Sequence, residues 1–230
     1  MSHFPAHLQS EMMARAPSFR VRSRQITEFE KERVVECVRI VPDFPKPGIA
    51  FKDLSLVLGD PLAYQLCIDV FVKRYAGKGI TAVVGIECNG FVFAAPISLA
   101  LDVPFVPFRK PGKLPCKSIG VDFQTGAGIG APAFGADRLE MHEDALRKGA
   151  KVLIVDDMLG TGATLKGACE LVEKVGGQVV ECACCVAMSG LGGRELLAEQ
   201  NIKLFTVLED FMEDPTNLEP TKEIPASPPP

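Results

Sequence analysis

The chain of 230 residues lacks an apolar run of the about 20 residues that a helix needs to cross a bilayer. Its longest apolar stretch, around Val92 to Val106, is interrupted by Pro96, Asp102 and Pro104. The start of the chain also lacks the apolar segment of a secretory signal. We therefore expect a soluble protein with no membrane partner.

Positive charge is not in excess either. Lys and Arg number 25 against 29 Asp and Glu, which gives a net charge of −4 and a pI of about 5.5. Binding to nucleic-acid backbones calls for clustered Lys and Arg, so this balance argues against a nucleic-acid polymer as partner. It leaves room for a small phosphorylated ligand, which backbone amides and a few cations can hold.

The eight cysteines show no paired C-x-x-C spacing and no disulfide-like pattern, so we expect a reducing compartment, the cytoplasm. Cys182, Cys184 and Cys185 lie in the apolar run Val179–Ala187, which is typical of a buried strand. Strand alternation would place Cys184 and Cys185 on opposite faces. Core filling by these small apolar side chains is favoured over the alternative, a zinc cluster.

The two ends differ in composition from the rest. Residues 1–27 contain several arginines but few acids, and we interpret them as a disordered or loosely docked tail, with an organelle-targeting segment as the alternative. Residues 213–230 contain six prolines and should be a disordered tail. The folded domain is therefore predicted to span residues 28–212.

Between the tails, helical patterns alternate with short apolar strands, which is typical of an α/β fold with a mostly parallel sheet covered by helices on both faces. The predicted helices are Ile26–Cys37, Pro61–Tyr75, Gly90–Leu99 and Leu165–Lys174, and the predicted strands are Ala82–Ile86, Phe105–Phe108, Lys151–Val155, Val179–Met188 and Leu204–Leu208. The glycine-rich segment Ile119–Gly135 is expected to be a long loop, which near a ligand site would act as a lid.

The segment Lys151–Thr164 carries the strongest chemical signal. A buried strand ends in Asp156 and Asp157, and a turn with two glycines and two threonines leads into a helix. Ligands bind at the carboxyl ends of such strands, and a helix N-terminus suits a phosphate. No lysine follows Gly162 as in a P-loop, and Leu165 stands where a dinucleotide-binding turn has glycine. The remaining alternative is an ordinary strand-to-helix turn.

The same segment resembles the signature of type I phosphoribosyltransferases. Three further blocks resemble adenine phosphoribosyltransferases and follow that family's order, within a match from about Glu32 to Asp210. The blocks are Val41–Asp53, Gly85–Phe93 and Phe108–Pro115.

This resemblance implies the type I phosphoribosyltransferase fold and a homodimer. It implies transfer of a phosphoribosyl group from 5-phosphoribosyl 1-pyrophosphate (PRPP) to adenine, giving AMP and pyrophosphate, with Mg²⁺ held mainly by the pyrophosphate. The implied site has four parts: Gly160, Thr161, Gly162, Ala163 and Thr164 at the 5-phosphate; Asp156 and Asp157 at the ribose; Arg109 and Lys113 at the pyrophosphate; and Ala50, Phe51 and Lys52 at the base. Without the resemblance, Phe51 could equally be a core aromatic, and the basic residues would be interpreted as a solvated stretch.

The sequence departs from the family pattern at functional positions. Asn89 stands where the second block carries an arginine that reaches pyrophosphate, and Ala133 and Phe134 stand where the lid carries a Glu-Tyr pair. Losing an electrostatic contact to the transition state can lower the rate by a factor of about 10² or more, and so can losing a general acid or base. The alternative function is therefore a catalytically weakened paralogue that binds nucleotide or PRPP, or a phosphoribosyltransferase for another purine base.

Overall fold

The computed structural model describes residues 25–124 and 136–211. Its centre is a sheet of five parallel strands in the order β11-β9-β7-β3-β4. These strands are β3 (Ala82–Ile86), β4 (Phe105–Phe108), β7 (Lys151–Val155), β9 (Gln178–Cys184) and β11 (Leu204–Thr206). Because all five run in the same direction, their carboxyl ends meet at one edge of the sheet.

Three two-stranded sheets lie around this centre. An antiparallel hairpin pairs β1 (Arg39–Val41) with β2 (Phe51–Asp53), and another pairs β5 (Ser118–Gln124) with β6 (Ala136–His142). A short parallel pair joins β8 (Met158–Leu159) to β10 (Val186–Ala187).

The helices are α1 (Glu28–Glu36), α2 (Ser55–Gly59), α3 (Pro61–Tyr75), α4 (Asn89–Leu101), α5 (Ala163–Lys174), α6 (Gly193–Glu199) and α7 (Val207–Phe211). Side-chain caps mark the start of two helices, α1 and α3. The carboxylate of Asp60 accepts hydrogen bonds from the amides of Leu62 and Ala63 at 2.9 and 3.0 Å, which fixes the start of α3 at Pro61. Thr27 forms a capping box with Glu30 at the start of α1. None of the helices in the described ranges is both long and apolar enough to cross a bilayer.

The sheet has an apolar core on each face, and β7 shows the alternation that creates them. Leu153 and Val155 point into the cluster formed with α3 and α4, whereas Val152 and Ile154 point into the cluster formed with α5. Side chains of a strand alternate between faces, so a strand buried on both faces must be apolar throughout. The predicted α/β class with helices on both faces is confirmed.

The predicted helices and central strands are present with end-point differences of a few residues, and β3, β4, β7 and α3 have the predicted bounds. The predicted strand Leu204–Leu208 was wrong at its end, because the chain turns into α7 at Val207. The predicted strand Val179–Met188 is split between β9 and β10. The split occurs because the amides of Cys185 and Val186 both donate to the carbonyl of Asp157, at 2.9 and 3.3 Å.

The predicted loop Ile119–Gly135 was also wrong in its first part, since residues up to Gln124 belong to β5. Glycine is not a loop signal here, because the guanidinium of Arg138 lies over Gly120, where a Cβ would come within 2.7 Å of Nη2. Residues 125–135 lie outside the described residues, as do 1–24 and 212–230, which hold most of the two predicted tails.

The cysteines of the Val179–Ala187 run are buried, as predicted. Cys182 and Cys184 lie in the α5-side core and Cys185 lies in the α3-side core, so neighbouring cysteines face opposite ways. All eight cysteines are free thiols. Within residues 25–124 and 136–211, no group of three or more His, Cys, Asp and Glu side chains comes together as a metal site.

A partly buried charged cluster ties α3 to β9. Arg74 donates two hydrogen bonds of 2.8 Å to the carboxylate of Glu181, and the hydroxyl of Tyr75 donates a third at 2.7 Å. The guanidinium of Arg74 also lies 4.2 Å from the ring centre of Phe205 on β11. Glu181 is buried, so its charge depends on these partners.

We expect Glu181→Ala to destabilise the fold by about 2 kcal/mol, less than the about 3–5 kcal/mol typical of breaking a fully buried pair, because Arg74 is partly exposed. The measurement is the free energy of unfolding by urea. Glu170→Gln is the control, since Glu170 forms only an exposed pair with Lys166 and should shift stability by less than about 0.5 kcal/mol. Equal effects of the two changes would contradict the role of the cluster.

The same cluster predicts a pH dependence. Burial pushes the pKa of Glu181 up, but the hydrogen bonds from Arg74 and Tyr75 outweigh it and hold that pKa below its ordinary value. The stabilisation is therefore complete above the unfolded-state value of about 4.3 and is lost as the pH falls through the lower folded-state value. The stability difference between wild type and Glu181→Ala should shrink below about pH 4.3.

Candidate active site

The segment that follows β7 lies at the carboxyl edge of the sheet. The amide of Asp156 still donates to the carbonyl of Ala183 at 3.0 Å, so the strand pairing with β9 extends to this residue. Asp157 follows, then β8, the turn of residues 160–162 and the start of α5. The two predicted acids and the predicted phosphate loop are thus adjacent at the edge where parallel sheets bind ligands.

The loop Gly160–Thr164 presents the first turn of α5. Gly162 adopts a φ of +82°, a left-handed conformation that suits glycine, and Ala163 begins the helix. No side chain in the described part of the chain caps this turn. Its amides are therefore available to an anion, which a helix N-terminus also attracts through its partial positive charge. Thr161 and Thr164 are half-buried beside them.

Gly193 at the start of α6 is packed against this loop. A Cβ at Gly193 would lie 2.1 Å from the carbonyl oxygen of Gly160 and 3.0 Å from the amide nitrogen of Gly162. Any side chain at this position would therefore push the loop away. Sequence reasoning missed Gly193, although the run Gly190-Leu191-Gly192-Gly193 is a signal of close backbone approach.

The two acids occupy different environments. One oxygen of Asp156 accepts from the amide of Asp157 at 3.0 Å, and burial, followed by the negative charge of Asp157, raises the pKa of Asp156 well above its ordinary range. Asp157 has its own hydrogen-bond donors. Its Oδ1 accepts from the amide of Met158 at 2.9 Å, and its Oδ2 accepts from Asn89 at 3.0 Å. The pair thus offers one deeper and one more open carboxylate.

The turn between β3 and α4 comes next to these acids because β3 and β7 are paired neighbours, with Gly85 opposite Val155. The peptide bond between Glu87 and Cys88 is cis. Gly90 allows the close approach, because a Cβ there would lie 2.7 Å from the carbonyl oxygen of Val155 and 3.1 Å from Oδ1 of Asp156. Asn89 therefore reaches the site, as the second block of the sequence implied.

Arg109 follows β4, on the far side of β3. Its Nε donates to Oε2 of Glu87 at 3.0 Å, and the amide of Lys110 donates to the same oxygen at 2.7 Å. Burial pushes the pKa of Glu87 up, but these hydrogen bonds and the positive charges of Arg109 and Lys113 hold it below its ordinary value. Glu87 thus fixes Arg109 at the site edge, while Lys113 lies on the exposed loop that follows.

The residues expected at the base lie on the β1–β2 hairpin. Ala50 is exposed, Phe51 is partly buried, and its ring meets that of Phe44 edge to face at 5.1 Å between centres. The side chain of Lys52 is buried and donates to the carbonyl of Ala187 at 2.9 Å. Since Ala187 pairs with Leu159 in β8, Lys52 links the hairpin to the strand that precedes the phosphate loop.

Comparison with known proteins agrees with this architecture. The family of the phosphoribosyl transferase domain matches residues 57–215. An adenine phosphoribosyltransferase of Photorhabdus laumondii is 44% identical over 176 residues, which cover 76% of this chain and 92% of that relative. One from wheat, Triticum aestivum, is 44% identical over 171 residues, which cover 74% of this chain and 91% of that relative.

The adenine phosphoribosyltransferase structure of Rhodothermus marinus superposes with a TM-score of 0.69 at 40% identity, over 79% of this chain and 98% of that one. This chain belongs to the adenine phosphoribosyltransferase family. Its fold is the type I phosphoribosyltransferase fold expected from the sequence.

The chain carries both acids and a loop with two glycines and two threonines, and it departs from the expected pattern at Asn89, Ala133 and Phe134. The structure brings Asp156, Asp157, Asn89 and Arg109 to one edge of the sheet. Ala133 and Phe134, the residues expected at the lid, lie outside the described residues. The roles of Glu87 and of the Lys52 side chain were not predicted, although both residues lie inside sequence blocks already recognised.

Gly193→Ala should weaken binding of inorganic phosphate and ribose 5-phosphate at least tenfold, because the added methyl group must displace the Gly160 carbonyl and with it the neighbouring amides. Isothermal titration calorimetry measures both affinities. Gly59→Ala is the matched control, since a Cβ at Gly59 meets nothing within 4 Å. A folded Gly193→Ala protein with unchanged affinities would show that the loop does not hold the phosphate.

Proposed function

We propose that this chain transfers the phosphoribosyl group of PRPP to adenine and releases AMP and pyrophosphate, a reaction of purine salvage. The observation that carries the proposal is the uncapped N-terminus of α5, which follows the carboxylates of Asp156 and Asp157 after β8 and a short turn. Membership of the adenine phosphoribosyltransferase family supports the same reaction. A structure of the yeast member, with a TM-score of 0.70 at 31% identity, contains adenine and an imino-altritol bisphosphate.

The 5-phosphate of PRPP binds the amides of the loop Gly160–Thr164. Its negative charge and the acids would repel each other, so Asp156 and Asp157 face the ribose and accept hydrogen bonds from its hydroxyls. Breaking the bond between C1 and the pyrophosphate oxygen builds positive charge on the sugar ring, which these carboxylates stabilise. A bond from the base nitrogen to C1 then forms on the opposite side, and the proton of that nitrogen is released.

The leaving pyrophosphate meets the cations at the β3–β4 end of the site. Arg109 has its Nε held by Glu87, so its outer guanidinium nitrogens can donate to phosphate oxygens. Lys113 adds a second positive charge from the loop after β4. This division places cations where negative charge develops and carboxylates where positive charge develops.

The family implies Mg²⁺, and the two acids of the site could hold it only together with oxygens of the substrate. Mg²⁺ is commonly held by one or two carboxylates together with substrate phosphates and water, not by a protein cage. The site offers Asp156 and Asp157, and the described residues contain no cluster of three or more metal-ligating side chains. When bound, Mg²⁺ neutralises charge on the pyrophosphate.

Adenine binds at the hairpin β1–β2. Phe51 stacks on the ring, and the backbone of Ala50 and Lys52 hydrogen-bonds its edge. The link from Lys52 to Ala187 supports this role, because it holds the hairpin against the strand pair that leads into the phosphate loop.

The alternative function, a weakened relative that binds nucleotide without efficient turnover, is favoured by specific residues. Asn89 brings an amide and no positive charge to the pyrophosphate side, and Ala133 supplies no titratable group at the lid. A phosphoribosyltransferase for another purine base is the third candidate.

The three functions are separated by incubating the purified chain with Mg²⁺, PRPP and labelled adenine, hypoxanthine or guanine. We expect labelled AMP from adenine only. No product from any base, together with a higher Tm in the presence of AMP, would favour the binding function.

Asp157→Asn should lower kcat/KM by about 10²–10³, because it removes a charge that stabilises the transition state, whereas Asp144→Asn at an exposed site should not.

We also propose that the chain forms a homodimer through the outer face of α4. The side chains along that face are apolar and at least partly exposed: Val92, Ala95, Pro96 and Leu99. The most exposed of these side chains, Leu99, is 66% exposed in the protomer. A helix that is apolar on both sides is normally buried, and a second copy of the chain would cover this face.

Leu99→Glu should weaken the dimer at least tenfold, because an unpaired carboxylate would be buried at the interface. Sedimentation velocity over a concentration series measures the dissociation constant. Phe29→Glu on α1 is the matched control, since Phe29 is 72% exposed and lies away from α4. Equal mass distributions for Leu99→Glu and wild type would rule out this interface.

A cytoplasmic location is the third proposal. It is supported by the eight free thiols, of which five are buried in the two cores: Cys67, Cys169, Cys182, Cys184 and Cys185. Proteins of oxidising compartments commonly pair such cysteines. Fractionation of cells that express the full chain tests the location.

A further inference from the structure

Asn89 and Asp157 are 68 residues apart in the sequence but share a hydrogen bond of 3.0 Å from Nδ2 to Oδ2. They meet because each follows the end of one of two paired strands, β3 and β7. The start of α4 lies close to the end of β7, because Gly90 packs against Val155 and Asp156 with no room for a side chain. The contact is thus set by the backbone of the sheet and not by a chance meeting of surface side chains.

The carboxylate of Asp157 is held at both oxygens. While Asn89 donates to Oδ2, the amide of Met158 donates to Oδ1 at 2.9 Å. A carboxylate with a single partner rotates about its Cβ–Cγ bond, whereas two donors on opposite oxygens fix its plane. Fixing a functional group in advance lowers the cost of orienting it when the ligand arrives.

The amide of Asn89 is itself oriented. Its Oδ1 accepts from Sγ of Cys88 at 3.5 Å, which leaves the NH₂ end toward Asp157. An amide is suited to this task because it donates to a carboxylate without adding a charge.

We propose that Asn89 is a positioning residue that orients the Asp157 carboxylate toward the hydroxyls of a bound sugar phosphate. The assignment rests on the proposed function, because it needs the sugar to lie beside Asp157. Asn89 does not take the place of a cation at the pyrophosphate; it acts through Asp157.

The test compares two ligands that share the phosphate loop. Inorganic phosphate needs only the loop, whereas ribose 5-phosphate also needs the sugar contacts. Asn89→Leu keeps the size of the side chain but removes the donor. It should weaken the binding of ribose 5-phosphate about tenfold and leave the affinity for phosphate unchanged. Asn89→Asp, which places a second carboxylate against Asp157, should weaken it further. Asn89→Gln keeps a donor and should restore part of the affinity.

Two controls make the test specific. Gln178→Leu applies the same chemical change at an exposed position at the start of β9 and should alter neither affinity. In an Asp157→Asn background, Asn89→Leu should cause little further loss, because the group that it orients has already been changed.

Kinetics give a second readout. With adenine and PRPP, Asn89→Leu should lower kcat and leave the KM for adenine unchanged, since the base lies at the β1–β2 hairpin. If Asn89→Leu selectively weakens ribose 5-phosphate binding but the wild type forms no AMP, the proposed turnover fails and the positioning role stands. The assignment is overturned if Asn89→Leu weakens the binding of both ligands equally or of neither. It is also overturned if the loss of affinity caused by Asn89→Leu adds fully to the loss caused by Asp157→Asn.

Discussion

The pairing of β3 with β7 is the constraint on which the site depends. It brings the ends of two strands into contact, and with them a turn that carries Glu87 and Asn89 and a turn that carries the two acids. Gly90 then lets the start of α4 approach Val155 and Asp156, and Gly193 lets the start of α6 approach the phosphate loop, each more closely than a side chain would permit. The site is therefore defined by backbone packing at the sheet edge, and the side chains are placed by it.

Charge is separated across this edge in the way that the proposed reaction requires. The N-terminus of α5 has no side-chain cap and suits a phosphate, and the two acids precede it in the chain. Arg109 lies beyond β3 and is fixed by Glu87, which also accepts from the amide of Lys110. A ligand with a phosphate, a sugar and a pyrophosphate would meet amides, carboxylates and cations in that order.

Much of this was predictable from the sequence, because continuous apolar strands, Asp-Asp and a glycine-rich turn are local signals. The apolar residues Val207 and Leu208 were assigned wrongly because an apolar run fits a strand and a buried helix equally well. Gly120 in β5 was taken for part of a loop, whereas it accommodates Arg138, a neighbour from another strand. The contacts of Asn89, Glu87 and Lys52 could not be predicted, since each joins residues far apart in the sequence.

The central claim is that backbone amides at the start of α5 hold the 5-phosphate while Asp157 faces the sugar. A crystal structure with ribose 5-phosphate bound tests it most directly. The account predicts phosphate oxygens about 3 Å from the amides of residues 161–164 and a ribose hydroxyl at hydrogen-bonding distance from Asp157. A phosphate bound elsewhere, or a sugar turned away from both acids, would contradict it.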